Sequence, residues 1–314
     1  MFLICGEALY DFFLVEEDKG GSLSFDARPG GSPYNVAIGM ARLGASSALL
    51  TGISNDLLGA RLATILENEG VNSQYLIRSE RGTTLSLVGV DESGGPSYAF
   101  YGNGSADCSL TEADLPAIGP EIQGLHFGSY SIAVKPVADA FTALLARNPG
   151  LFISLDPNVR PTIEPDMAVW RQRIDALRKQ TALLKVSNED IAMLHPDADP
   201  VDIVKAWAKD GPALVVLTQG GNGVVGVRGD DLFHAQPPEI EVVDTVGAGD
   251  TFMASLLAEM YVQRDPAGYL TSLSPPEIEG LMHRAATAAA ITCSRRGADL
   301  PSAADLATFL REEN

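Results

Sequence analysis

Apolar residues along this chain of 314 residues keep two rhythms in turn. Short unbroken apolar runs predict buried strands at 1–5, 48–53, 124–128, 151–155, 182–186, 213–218 and 223–227. Between them apolar residues recur every three or four positions, which predicts helices at 57–69, 136–147, 167–179, 189–194, 200–209, 250–263, 277–293 and 302–312. A further helix is opened by Gly30-Gly-Ser-Pro33, carries Val36, Ala37, Met40 and Leu43, and is ended by Gly44. This alternation predicts an α/β fold, a mostly parallel sheet with helices on both faces. Ligands of such folds sit beyond the carboxyl ends of the strands.

Two stretches break the rhythm. Residues 8–29 alternate aromatic and polar positions around a Lys19-Gly-Gly-Ser22 turn, and residues 84–101 run Leu85–Val90, a turn at Gly94-Gly-Pro96, then Ser97–Tyr101. Both predict hairpins, and together a small β-lid over the site or a dimer surface. With no internal repeat, low-complexity tract or long linker, the chain reads as one domain, 1–314, with the lid from about 8–30 and 84–105.

Charge narrows the ligands. The net charge is −19 and the pI about 4.5. A basic face for nucleic acid or anionic membrane is not expected, whereas a small neutral molecule suits this field. Three unpatterned cysteines and four scattered histidines give no disulfide framework, HExxH motif or zinc cluster. No apolar run approaches the ~20 residues of a membrane span. Met1–Cys5 is too short for a signal peptide, so the expectation is a cytoplasmic protein.

The chemistry concentrates in Asp244-Thr-Val-Gly-Ala-Gly-Asp-Thr-Phe252. The turn Gly247-Ala248-Gly249 opens a helix, so its amides and the helix dipole can cradle negative charge, with the carboxylate of Asp250 beside them. That pairing suits phosphoryl transfer to a hydroxyl, Asp250 taking the proton. A plain turn with an Asp cap is the alternative. Asn35, in the first turn after Gly30 and Gly31, can donate to and accept from a polyol, and Asp11 follows the exit of the first strand. In Asp156-Pro-Asn-Val-Arg160 the residues Asp156, Asn158 and Arg160 alternate, and the Arg160 guanidinium can meet a phosphate. The alternative is a structural Asp–Arg pair. Glu189 and Asp190, at the end of Leu183-Leu-Lys-Val-Ser-Asn-Glu-Asp190, can orient water around magnesium or simply favour a helix dipole. Gly221-Asn-Gly-Val-Val-Gly226 spells a dinucleotide fingerprint, but it runs into a strand rather than a helix. A hairpin turn touching nucleotide through Thr218 and Gly220 is the better reading, and there is no P-loop.

Taken together these motifs resemble the ribokinase-like, phosphofructokinase-B-type carbohydrate kinases over essentially the whole chain. Gly30-Gly-Ser-Pro-Tyr-Asn-Val-Ala37 is similar to the first signature, Asp244–Phe252 to the second, and Thr218-x-Gly220-x-x-Gly223 to the nucleotide loop. The resemblance implies a three-layer α/β/α domain with a β-lid, magnesium-ATP, and transfer of the γ-phosphate to a sugar hydroxyl. It implies Asp250 as base, Gly247, Ala248 and Gly249 as anion hole, and Arg160 beside them. Asp11, Gly30, Gly31, Asn35, Tyr101, Asp156 and Asn158 fall to the sugar. Lys185, Ser187, Thr218, Gly220, Gly223 and Gly249 fall to the nucleotide. Many members use a monovalent cation, potassium, near Asp244–Val246 and Ser294–Ala298, which makes Asp244 a candidate ligand. Members often dimerise through such lids, which leaves a homodimer open.

Gly6-Glu-Ala-Leu-Tyr-Asp-Phe12, Leu125-His-Phe-Gly-Ser129 and Asp156–Arg160 look most like bacterial fructokinases. Gly102 departs from that pattern, since those enzymes usually carry Arg there. Asp190 also departs, standing where a Glu is usual. A 2-keto-3-deoxygluconate kinase is the main rival, and a nucleoside kinase would need an aromatic pocket from Tyr10, Phe12 and Tyr101. A sugar sensor without catalysis and a dehydrogenase are the readings from other classes.

Overall fold

The computed structural model describes residues 1–90 and 96–312, so the turn expected at Gly94 and Gly95 lies outside the described residues. The strands are β1 (Phe2–Cys5), β2 (Leu9–Glu17), β3 (Leu23–Gly30), β4 (Ser47–Ser54), β5 (Leu76–Ser79), β6 (Thr84–Val90), β7 (Pro96–Tyr101), β8 (Gly124–Gly128), β9 (Phe152–Asp156), β10 (Leu183–Ser187), β11 (Leu214–Thr218), β12 (Val224–Arg228) and β13 (Asp231–Ala235). The helices are α1 (Ser32–Arg42), α2 (Leu57–Asn68), α3 (Val137–Arg147), α4 (Met167–Arg178), α5 (Asn188–Leu194), α6 (Pro200–Ala208), α7 (Ala248–Tyr261), α8 (Pro266–Ser272), α9 (Pro275–Cys293) and α10 (Ala303–Glu312).

Nine strands form the central sheet in the order β13-β12-β11-β10-β9-β8-β1-β4-β5. Pairing is parallel from β5 to β11 and antiparallel across β11, β12 and β13. Strand side chains alternate between faces, so each strand feeds two cores. Phe2, Ile4 and Val216 join one core with residues of α1, α2, α7 and α9. Leu3, Cys5, Val215 and Leu217 join the other with residues of α3, α4, α5 and α6. The result is the three-layer α/β/α architecture. The chain runs from β1 to β4 on one side and returns to β8 on the other, which makes a topological switch point at the carboxyl ends of β1 and β8.

The two aromatic hairpins form a separate four-stranded sheet, β3-β2-β6-β7. β2 pairs with β6 in parallel, placing Asp11 opposite Ser86 and Phe13 opposite Val88. Period two then gives this sheet two unlike faces. Leu9, Asp11, Phe13 and Ser86 look into the cleft, while Tyr10, Phe12 and Leu85 pack on the first core.

Three elements escaped the sequence pattern. β13 buries only Phe233 and Ala235, β5 buries none of its four residues, and α8 buries only Pro266 and Leu270 over seven residues. Each lacks the continuous apolar run or the repeated stripe on which the reading relied. No helix among the described residues is long and apolar enough to cross a membrane.

Candidate active site

The site is assembled where α7 begins. Gly247 caps that helix with a φ of 80°, a left-handed conformation that glycine adopts without cost. A Cβ there would also lie 2.8 Å from Cβ of Ala298. The first amides of a helix have no intrahelical acceptor, so the amides of Gly249 and Asp250 are free by position to face an anion.

Asp250 stands in this first turn, only 7% exposed, and its Oδ2 accepts from Nδ2 of Asn35 at 2.8 Å. Asn35 is on α1, and the two helices meet closely because residue 39 is glycine. A Cβ on Gly39 would come within 2.7 Å of Cβ of Ala254. Gly31 starts α1 with a φ of 106°, and a Cβ there would sit 2.8 Å from the Glu7 carbonyl oxygen. Burial raises the Asp250 carboxyl above its ordinary value, against hydrogen bonding from Asn35 and the positive charges of Lys185 and Arg160. A carboxylate raised this way is a stronger proton acceptor than one in water.

Beneath the turn lies a buried ion pair. Nζ of Lys185, on β10, donates to Oδ2 of Asp156, at the end of β9, at 2.8 Å. Nζ of Lys185 would be 3.0 Å from a Cβ on Gly249, so the ammonium reaches the Gly247–Gly249 turn itself. Its pKa is raised: burial lowers it, and the carboxylates of Asp156, Asp190 and Asp250 more than reverse that. Burial lifts Asp156 to about 6 despite the Lys185 charge, and its Oδ1 has no hydrogen-bond partner among the described residues.

These groups open into a cavity of about 560 Å³, lined by Asp11, Gly31, Asn35, Asn158, Arg160, Lys185, Gly247, Gly249 and Asp250. That volume suits a small ligand. Asn158 turns the chain with a φ of 42°, a conformation asparagine tolerates, and Arg160 follows into the cavity wall. Asp11 is raised by burial, opposed by a hydrogen bond from Ser86 and the charge of Arg160. A second cleft of about 340 Å³ adjoins it, shared through Asp11, Phe13 and Asn35 and walled by Gly30, Arg28 and Asp244.

Several sequence candidates lie elsewhere. Tyr101 is 61% exposed and does not line the cavity, whereas its neighbour Phe100 does. The alternation of β7 sends the two rings to opposite faces, so the aromatic at the site is the adjacent residue. Tyr10 and Phe12 likewise sit on the core face, and neither supplies an aromatic pocket wall. Asp190 spends its oxygens locally: Oδ1 accepts from the Val159 amide at 2.7 Å, and Oδ2 from the amide and hydroxyl of Ser187. This is a helix capping box, a local role that the sequence reading did not name. Glu189 is exposed. Asp244 accepts from the Val246 and Gly297 amides, clamping the segment before the anion turn to the loop after α9. Ser187 and Thr218 are paired neighbours at the carboxyl ends of β10 and β11. Gly220 and Gly223 shape a one-turn helix into β12, so the fingerprint-like string opens a strand as its composition foretold.

Glu7 was missed. It lines the cavity, is buried, and takes a hydrogen bond from Ser131. Burial carries its carboxyl to about 7, with the Ser131 and Ser129 hydroxyls opposing. Its only sequence signal was its place right after β1, at the switch point.

A family model described as pfkB family carbohydrate kinase matches residues 1–305. The chain belongs to that family. This kinase is 36% identical over 261 residues to the fructokinase of Rhizobium leguminosarum bv. trifolii, covering 83% of this chain and 79% of that protein. It is 30% identical to the fructokinase of Salmonella typhimurium, covering 87% and 88%. A fructokinase double mutant from Vibrio cholerae O395, solved in a form bound to fructose, ADP and potassium ion, superposes with a TM-score of 0.83 at 25% identity, covering 98% and 97%. A fructokinase from Xylella fastidiosa solved with ATP shares the fold with a TM-score of 0.90 at 23% identity, covering 99% and 98%.

Proposed function

We propose that this kinase phosphorylates fructose with ATP, using Asp250 as the base. The single observation that carries the reading is the buried Asp250 carboxylate, fixed by Asn35 in the first turn of α7 and open to the 560 Å³ cavity. A hydroxyl of the sugar gives its proton to Asp250 as its oxygen bonds to the γ-phosphorus and ADP departs. The Gly249 and Asp250 amides and the Lys185 ammonium face the charge that develops on the phosphoryl oxygens. Asp11, Asn35 and Asn158 supply acceptors and donors for the remaining hydroxyls. Arg160 orients phosphate or sugar. Closing the small sheet on the cleft would exclude water, and with it wasteful hydrolysis of ATP.

Magnesium fits this reading as an ion carried by the nucleotide. Among the described residues no cluster of three or more His, Cys, Asp or Glu could hold a metal, so phosphates and waters must complete its shell. Asn188 Oδ1 is a buried acceptor without a partner among the described residues, and Glu189 beside it is exposed, which suits holding such waters. When bound, the ion neutralises phosphate charge. Thr218, Gly220 and Gly223, at the end of β11, would take the rest of the nucleotide.

The test is ADP release coupled to NADH oxidation with magnesium-ATP over fructose, 2-keto-3-deoxygluconate, ribose, glucose and adenosine, with and without potassium. Turnover on fructose well above the others is expected. Turnover confined to the keto acid would overturn the fructose assignment and keep Asp250 as base.

A further inference from the structure

His126 sits in the middle of the central sheet with half of its imidazole unaccounted for. It is fully buried on β8, and its Nδ1 lies 2.9 Å from the Ser154 hydroxyl of β9. Its Nε2 is buried and has no hydrogen-bond partner among the described residues. A buried polar atom left bare costs free energy, so each one in a native fold calls for an account. Asp156 shows the matching gap. Its Oδ2 is bonded to Lys185, whereas its buried Oδ1 has no hydrogen-bond partner among the described residues.

The strand register brings the two bare atoms toward each other. In the parallel ladder of β8 and β9, His126 pairs with Ser154 and Gly128 with Asp156. Positions two apart share a face, so His126, Ser154 and Asp156 all look out on one side of the sheet. β9 lies between β10 and β8, so Asp156 has Lys185 on one flank and position 128 on the other. A Cβ on Gly128 would lie 2.7 Å from the Asp156 carbonyl oxygen and 3.6 Å from Nε2 of His126. Glycine there leaves the space between ring and carboxylate to a small polar guest, and water fills such places when polar groups converge on it.

Charge decides where the ring carries its proton. Burial, then the Lys185 charge, lowers His126 to about 3, so the imidazole is neutral and has one N–H. A carboxylate needs a donor facing it, and the Ser154 hydroxyl can donate to Nδ1, which leaves the proton on Nε2. We propose that His126 is a positioning residue: its Nε2–H donates to a buried water, the water donates to Oδ1 of Asp156, and the carboxylate so held keeps the Lys185 ammonium aimed at the Gly247–Gly249 turn. Asp190 and Asp250 also act on Asp156, but as like charges, and neither gives it a donor. His126 is not among the residues lining the cavity, so it acts only through Asp156. The inference rests on the reading of that turn as the phosphoryl site.

The test uses amides that mimic one ring nitrogen each. In H126N the amide can take the Ser154 bond but is too short to serve Asp156, whereas H126Q sets an N–H near the place of Nε2. H126N should lower kcat about tenfold with the fructose KM within about twofold, and H126Q should recover most of that loss. In a D156N background H126N should cost nothing more, since the carboxylate it serves is gone. A crystal structure of the wild type should show one water within hydrogen-bond distance of both Nε2 and Oδ1, and this decides the proposal even if H126N does not fold. Equal losses in H126N and H126Q with a fallen melting midpoint would overturn it, by showing a packing role. Wild-type kcat in H126N, additive losses in the double variant, or no water between the two atoms would do the same. If the wild type turns over another acceptor of the panel, the fructose reading fails while the same comparison on that acceptor still decides the role of His126.

Discussion

The two walls of the cleft are built on different terms. On the body side Asp250, Asn35, Asp156 and Lys185 are all buried, and hydrogen bonds hold them in pairs. Glycine at 39 draws α1 and α7 together, so the Asn35–Asp250 contact is fixed by helix packing as much as by its own hydrogen bond. On the sheet side Asp11, Phe13, Arg28 and Phe100 are half-buried, on strands whose tips leave Leu14, Val15, Leu23 and Tyr101 exposed. Charges buried among fixed dipoles need no reorganisation when charge develops, which is what phosphoryl transfer asks of a site. The half-buried sheet encloses its cleft-facing side chains less than the body does. On the proposed reading, chemistry belongs to the body and choice of acceptor to the sheet.

The largest effects should come from breaking the body wall. Asp250→Asn keeps the shape and the Asn35 contact but removes the proton acceptor, and should lower kcat by at least about a thousandfold. Its fructose KM should stay within a few-fold, so a coupled assay together with calorimetric sugar binding separates chemistry from binding. Near-normal turnover would remove Asp250 from the mechanism. Lys185→Met comes next. It takes a charge from the anion turn and strands Asp156 in the interior, where an unpaired buried carboxylate costs roughly 3–5 kcal/mol. Turnover should fall about a hundredfold, together with the melting midpoint. If replacing Asp156 by Asn as well restores the midpoint but not kcat, Lys185 acts on phosphoryl charge. Recovery of both would make the pair a purely structural device.

Breaking the sheet wall should look different. Asp11→Asn retains a polar side chain but weakens acceptance from a sugar hydroxyl, and Gly30 leaves just enough space for that carboxylate, since a Cβ there would meet Asp11 Oδ2 at 2.4 Å. The expected result is a fructose KM raised about tenfold with kcat changed far less. Loss of kcat equal to that of Asp250→Asn would erase the distinction between the walls.

How much of this could be read in advance follows the same division. The Gly247–Gly249 turn opening α7 and the glycine-led start of α1 were legible because chain-local constraints carry them: glycines, a helix start and a carboxylate within a few residues. The strand–helix rhythm gave the layers, because buried parallel strands make unbroken apolar runs. The sheet wall was harder. Its hairpins were visible, yet whether Phe100 or Tyr101 faces the cleft depends on register, and a slip of one residue reverses every side chain. Glu7 and the Lys185–Asp156 pair depend on neighbours brought together only by the order of strands β1, β8, β9 and β10. A single carboxylate after a strand does not announce that it will be buried.

Glu7 gives the smallest and most specific test of that burial. Desolvation holds its carboxyl near 7, against hydrogen bonds from Ser131 and Ser129 and with the nearby Asp107 charge pushing the same way as burial. An unfolded glutamate titrates near 4.5. Between those values the native protein keeps a proton that the unfolded chain has lost. The stability tied to the protonated form is thus fully present below about pH 4.5 and is lost as pH rises through about 7. The loss should be on the order of 3 kcal/mol once both states are ionised. Glu7→Gln keeps the shape and an acceptor for the Ser131 hydroxyl but cannot ionise. Asp156, raised to about 6, gives a slope of the same sign in both proteins, so it cancels in their difference. The expected outcome is a melting midpoint that falls with pH more steeply in the wild type than in Glu7→Gln, the gap opening between pH 5 and 8 and then holding constant. Parallel curves would mean that Glu7 ionises at its ordinary value, with water reaching the switch point from the sheet side. The line between a dry body wall and a wetter sheet wall would then have to be redrawn to leave Glu7 outside.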